Sequence, residues 1–312
     1  MAKIVSRLIT VLLALAMQTA MPAQAQLART FVSAATGNDA NDCNRPTPCR
    51  TFQRAHDAAF DQGEVTVLDT GGYGAVTIRK SISIVSEVGE ASLLVSGGAT
   101  GITINAPNAY VNLRGLTIQG IGFGGGTGLQ FNSGFALTIT NCVIRNLTGD
   151  GIVFFPNGTA QLTVASTLIA DNGGNGILHN GAAGANAVRI DLDRVEVRNN
   201  SSIGVRLLGV TGGLHTSIAD SVISGNLEDA LLVQGSPGQP STAVVTRSIM
   251  SNNRAGGVTA LGQGFVGIGQ SLIAGNNTTW TTGNGGTVWS FGDNYVLGNV
   301  DGDPAITVIA RK

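Results

Sequence analysis

Residues 221–226 read SVISGN: a small hydroxyl residue, an apolar pair, and an asparagine three positions after the second apolar residue. The pattern returns as TLIADN ending at Asn172, SIMSNN at Asn253, SLIAGN at Asn276 and NYVLGN at Asn299. Aligned on the second apolar residue, the chain gives Ile118, Ile144, Ile169, Val197, Ile223, Met250, Ile273 and Val296, spaced 23 to 28 residues apart. A period in this range marks a repeat architecture in which each unit buries its apolar side only against its neighbours.

The unit is β. Val188, Ile190 and Leu192 alternate with polar residues, as do Leu214, Thr216 and Ile218 in the next unit, and no helical heptad runs through the repeats. A second short strand follows a glycine in GIVFF (151–155), GILHN (176–180), GVRLL (204–208) and GGVTA (256–260). Short strands separated by Gly- and Asn-rich turns imply an all-β coiled solenoid, with equivalent residues of successive coils stacked at roughly 4.8 Å. The asparagines at 172, 200, 226, 253, 276 and 299 then form one inward column, whose amides bond to turn backbone and to their own copies in adjacent coils. Ile121 and Leu147 take that place in the two earliest coils. The column two residues before the aligned position, Leu116, Cys142, Thr167, Val195, Ser221, Ser248, Ser271 and Asn294, is a tight interior corner, which makes Cys142 a buried packing residue.

Only 12% of the 312 residues are charged and the formal net charge is −1, which argues against a nucleic-acid partner. Lys3 and Arg7, the apolar run LITVLLALAM (8–17) and the small-residue site AQA (23–25) read as a signal peptide over residues 1–25. That implies an exported chain, periplasmic or extracellular, with no membrane insertion after cleavage. In an oxidising compartment Cys43 and Cys49 are expected to pair. We expect a monomer without a cofactor. Asp39, Asn41 and Asp42 are oxygen-bearing side chains that could meet a calcium ion, but they lack a full ligand pattern.

The glycine-led strands, the S-h-I-x-x-N turns and the period resemble the right-handed parallel β-helix of the pectin-lyase-like superfamily, from about Glu64 to Asn299. The preceding segment is similar to the opening of many secreted members, which implies an extended stretch and capping helix over residues 26–63, the helix within TFQRAHDAAFDQG (51–63). Residues 64–312 would then wind about nine coils, with AITVIA (305–310) closing the far end. The resemblance specifies fold and not chemistry, because such folds carry lyases, hydrolases, adhesins and structural parts.

The register divides inward from outward residues. On the glycine-led sheet the outward row is Thr103, Gln130, Val153, Leu178, Arg206, Leu232 and Thr259, with no carboxylate. His179 points inward as a satisfied core histidine, and Asp150 is a turn residue. On the other long sheet Arg189, Asp191 and Asp193 face outward beside His215 and Ser217, flanked by Gln161 and Thr163. Carboxylates two residues apart on a strand stand roughly 6.6 Å apart at Cα, enough to admit a water between acid and base. Arg189 beside His215 could polarise a uronic acid. Against this stands a solvated face with an Arg–Asp pair; Arg194, Asp220 and Arg247 alternate in charge as cross-strand pairs do. Trp289 and Phe291 read as inward packing of the last coil, while Trp280 and Phe265 read as exposed rings able to stack on sugars.

Together these features describe a protein that binds extracellular polysaccharide or serves as a surface scaffold, without a recognisable catalytic centre. The alternatives are a polysaccharide lyase or hydrolase using Arg189, Asp191, Asp193 and His215, and an adhesin.

Overall fold

The computed structural model describes residues 27–120, 124–181 and 186–309. The expected signal segment (1–25) and Ile121 lie outside them. The described chain winds as a parallel β-solenoid with three sheets of twelve, ten and nine strands. Val188–Asp193, Leu214–Ala219 and Ser241–Thr246 belong to the twelve-stranded sheet, Glu196–Arg198 and Val222–Ser224 to the ten-stranded sheet, and Val205–Leu208 and Leu231–Gln234 to the nine-stranded, glycine-led sheet. Coils pair residue for residue, as in Ile190 with Thr216 and Thr216 with Ala243, so an apolar position in one coil lies over an apolar or small one in the next. Leu162, Ile190, Ile218, Val245 and Ile268 are buried in the resulting continuous core.

The SVISGN rung shows how the chain turns. Val222–Ser224 is a three-residue strand set between two left-handed bends, Asp220 at φ 51° and Gly225 at φ 69°. Other coils place Arg194, Arg247 and Gln270 at the first bend, and Asp171, Asn199 and Asn252 at the second. Asn, Asp and Gly reach this conformation at least cost.

Each bend is stabilised by a polar column. At the second, Asn200 Nδ2 donates to Asn226 Oδ1 at 2.9 Å, Asn226 Nδ2 to Asn253 Oδ1 at 2.9 Å, and Asn253 Nδ2 to Asn276 Oδ1 at 3.0 Å. Each oxygen also accepts the previous coil's asparagine N–H, and each amide also reaches a strand carbonyl such as Val197 O. At the first bend the small column forms a hydroxyl ladder. Val195 N donates to Ser221 Oγ at 3.0 Å, Ser221 N to Ser248 Oγ at 3.1 Å, and Ser248 N to Ser271 Oγ at 3.1 Å. Cys142 replaces a hydroxyl there. Its sulfur accepts from Leu116 N, and burial pushes the thiol up to about 11. The Asn column also explains the glycine that opens the third sheet's strands: a Cβ on Gly204 would lie 2.5 Å from Ile223 Cγ2 and 2.8 Å from Asn226 Nδ2. Ala230 is the one departure in that column between Gly101 and Gly257.

The N-terminal end is closed. The extended segment is itself a strand, Leu27–Val32, at the edge of the twelve-stranded sheet, paired in parallel with Ala59–Val67. The helix covers only Phe52–Ala58, shorter than the sequence suggests, because Ala59 is already extended and Gln62 takes φ 67° in a bulge. Thr51 caps it, its hydroxyl accepting from Arg54 N. Cys43 and Cys49 form a disulfide. Asp69 ties the segment down, accepting from Ser33 Oγ at 2.5 Å, Ala34 N at 2.6 Å and Tyr73 OH at 2.5 Å. At the far end Asp303 Oδ1 accepts from Asn299 Nδ2 at 2.7 Å, where the next asparagine would stand; Ile306 packs on the core and Thr307–Val308 pairs with Trp289 and Ser290.

Candidate functional site

The outer face of the twelve-stranded sheet carries two straight columns. One runs Tyr110, Ala136, Gln161, Arg189, His215, Thr242, Phe265, Thr287. The other runs Ser83, Asn112, Thr138, Thr163, Asp191, Ser217, Val244, Gly267, Trp289. Both follow from strict alternation, since the intervening residues Val188, Ile190, Leu214 and Ile218 fill the core.

Arg189 pairs in register with His215 and Gln161, and Asp191 with Ser217 and Thr163. Arg189, Asp191, His215 and Ser217 are exposed. Arg189, Asp191, His215 and Ser217 therefore share one patch, but no side-chain bond among the described residues ties them together. Asp193 pairs instead with Arg194, 2.6 Å away at the bend that follows its strand. The His215 ring lies by the Gly213 turn, where a Cβ would stand 3.4 Å from its Nε2. One column over, Arg247 donates two 2.8 Å bonds to Asp220, which holds that carboxyl below its usual range. Further along the face a shallow groove of about 230 Å³ is lined by Gln62, Ser83, Tyr110, Asn112 and Thr138. Tyr110 is 61% exposed and packs on Phe135 with ring centroids 5.2 Å apart.

The rings near the C-terminal end differ from the sequence expectation. Trp280 pairs with inward Val258 and packs against the core, while Trp289 pairs with outward Gly267 and stacks on Phe265, centroids 5.9 Å apart. Phe291 lies over the same outer face, since a Cβ on Gly269 would be 2.8 Å from its Cδ2. Val288 and Ser290 take the inward places that alternation reserves.

Elsewhere the expected site residues have local roles. Asp39 accepts from Arg50 N, Thr51 N and Thr51 Oγ1 at the helix start, Asp42 from Asn44 Nδ2, and Asn41 donates to Pro48 O. The calcium candidates thus organise the loop and its helix, and no cluster of three or more His, Cys, Asp or Glu able to hold a metal occurs among the described residues. Asp150 accepts from the backbone and side-chain nitrogens of Asn175, at 2.6 and 2.8 Å. The outward row of the glycine-led sheet has the expected register, with Arg206 beside Leu178 and Leu232. Its Thr259, however, is buried and hydrogen-bonds Asp229. Burial raises the Asp229 carboxyl, the Thr259 hydrogen bond opposing it. His179 is inward between Phe154 and Leu207 and fully buried, but it is not satisfied: neither ring nitrogen has a hydrogen-bond partner among the described residues. Burial pushes it down to about 4, and the Leu208 backbone opposes this without reaching hydrogen-bond geometry.

A family model described as "Right handed beta helix region" matches residues 66–189. Among solved structures, pectate lyase Pel9A aligns with a TM-score of 0.67 at 15% identity, over 90% of this chain and 77% of that one. The pectin methylesterase PemA from Erwinia chrysanthemi aligns at 0.48 and 11% identity, over 90% and 92%. No curated protein matches the sequence. The fold is a right-handed parallel β-helix, the fold shared with the pectate lyase structure.

Proposed function

We propose that the chain is an exported protein that holds an extended polysaccharide against the outer face of its twelve-stranded sheet without cleaving it. The observation that carries this reading is the column Ser83, Asn112, Thr138, Thr163, Asp191, Ser217, a hydrogen-bonding side chain on each of six successive rungs. At roughly 4.8 Å per rung it offers a repeating set of donors and acceptors to a repeating ligand. Arg189, on a rung beside it, adds positive charge for an acidic sugar, and His215 on the adjacent rung adds a further hydrogen-bonding ring. A lyase or hydrolase needs an acid and a base held to their task by neighbouring groups. Among the described residues Asp191 and His215 make no side-chain hydrogen bond and Asp193 is paired with Arg194, which favours binding over turnover. The Cys43–Cys49 disulfide supports export.

The test is affinity electrophoresis of the purified protein through gels containing uronate-rich or neutral polysaccharides. Ultraviolet absorbance of unsaturated products and new reducing ends are followed in parallel. Retardation without products is expected. Turnover abolished by Asp191→Ala or His215→Ala would replace the binding reading with an enzymatic one, and migration unchanged in every gel would remove both.

A further inference from the structure

The C-terminal end of the same outer face carries aromatic rings that the fold does not require. Val266, Ile268 and Val288 already fill the core beneath them. Phe265 and Trp289 nevertheless point outward, partly exposed, with their planes 20° apart. Thr242 and Thr287 stand on the rungs directly before and after Phe265. The two glycines beside them set the geometry. A Cβ on Gly267 would stand 3.3 Å from Phe291 Cζ, so the missing side chains let Phe291 lie against the sheet next to the stacked pair. Phe31, an outward ring at the opposite end of the sheet, is covered by the guanidinium groups of Arg29 and Arg45; no cation lies over Phe265 or Trp289 among the described residues.

We propose that Phe265 and Trp289 form a stacking platform for one pyranose ring of the bound polysaccharide, with the Thr242 and Thr287 hydroxyls beside it to meet the sugar's own. The inference rests on the reading of this face as a glycan site and adds which sugar surface is recognised there: the apolar C–H face of a ring, irrespective of its charge. Trp289 lies four rungs from Asp191 in the same column, roughly 19 Å away, so a chain on the platform that follows the column passes over the polar patch. The two ends of the track then differ in their physics. Contacts to Arg189 weaken as salt rises, whereas ring stacking does not.

The chain has two tryptophans, so Trp280→Phe leaves Trp289 as the sole reporter. That variant is titrated with cellohexaose and with hexagalacturonate, following fluorescence and heat together at low and high salt. We expect a fluorescence change with both sugars. Trp289→Ala and Phe265→Ala should each weaken binding by roughly tenfold with the salt dependence unchanged, while Trp289→Phe retains most of the affinity. Arg189→Ala should instead flatten the salt dependence for hexagalacturonate. Thermal melts identify any variant that does not fold, and Trp289→Phe preserves a ring should alanine prove disruptive. Affinities within about twofold of the parent in both alanine variants overturn the platform and leave the face reading intact. Absence of heat with either sugar counts against the face reading, and this inference falls with it.

Discussion

Replacing Asn226 with alanine removes four hydrogen bonds from one fully buried rung. Its Oδ1 accepts from Asn200 N at 3.0 Å and Asn200 Nδ2 at 2.9 Å; its Nδ2 donates to Asn253 Oδ1 at 2.9 Å and Val197 O at 3.3 Å. Asn253 Oδ1 keeps the Asn226 backbone N–H, so the acceptor side is partly compensated. The donor side is not: the Asn200 backbone N–H and one amide hydrogen lose their acceptor in a site closed to water. At about 1–3 kcal/mol per orphaned buried donor, the expected loss is roughly 2–6 kcal/mol, a large share of a stability of about 5–15 kcal/mol. Asn172 is the internal comparison. It starts the ladder, and its oxygen accepts only from Leu147 N, at 3.3 Å, so its removal orphans one donor and should cost about half as much. Guanidinium denaturation followed by far-ultraviolet circular dichroism measures both. An Asn226→Ala loss below about 1 kcal/mol, or a larger loss for Asn172→Ala, would refute the reasoning.

Two further outcomes concern titrating groups. His179→Leu places at that rung the residue Leu207 supplies on the next, deletes two unpartnered buried nitrogens and should stabilise the fold by about 1–3 kcal/mol. The folded ring, held down to about 4, prefers its neutral form; its contribution is complete above the ordinary value of 6.5 and is lost as pH falls toward 4, so the variant should lack that part of the acid limb in pH-dependent melts. Asp69 is held to about 2: partial burial opposes ionisation, but hydrogen bonds from Ser33, Tyr73, Ala34 and Ala35 outweigh it. Its contribution is present above the usual 3.8 and lost as pH falls through 2, so Asp69→Asn should cost about 1 kcal/mol at neutral pH, solvent screening reducing the effect at this partly exposed carboxylate, and show a flatter acid limb in the same melts.

The period of the SVISGN rung made the columns legible, because one alignment fixes inward and outward for every coil once coils stack in register. It served less well where the chain leaves the repeat. The sequence places the helix within 51–63, and nothing in that stretch signals the bulge at Gln62. For the tryptophans the expectation and the structure are opposite, because hydrophobicity is a weak guide for a ring at the end of a solenoid; pairing with Gly267 turns Trp289 outward and pairing with Val258 turns Trp280 inward. The hydroxyl ladder was visible only as a run of small residues, since its bonds cross from coil to coil. Asp69, Asp303 and Asp229 act through neighbours distant in sequence or at irregular turns, which no periodicity signals. The outward register of Arg189, Asp191, Asp193 and His215 follows from the period, whereas the absence of bonds among them, within the described residues, shows only in the side-chain geometry.

Hydroxyl-radical footprinting of the protein with and without a saturating polysaccharide tests the central claim most directly. Tyr110, His215 and Trp289 mark the proposed face, and Tyr295, 75% exposed on the outer side of the ten-stranded sheet, is the built-in control. The account predicts protection of the first three with Tyr295 unchanged. Protection of Tyr295 with the outer face of the twelve-stranded sheet left open would contradict it.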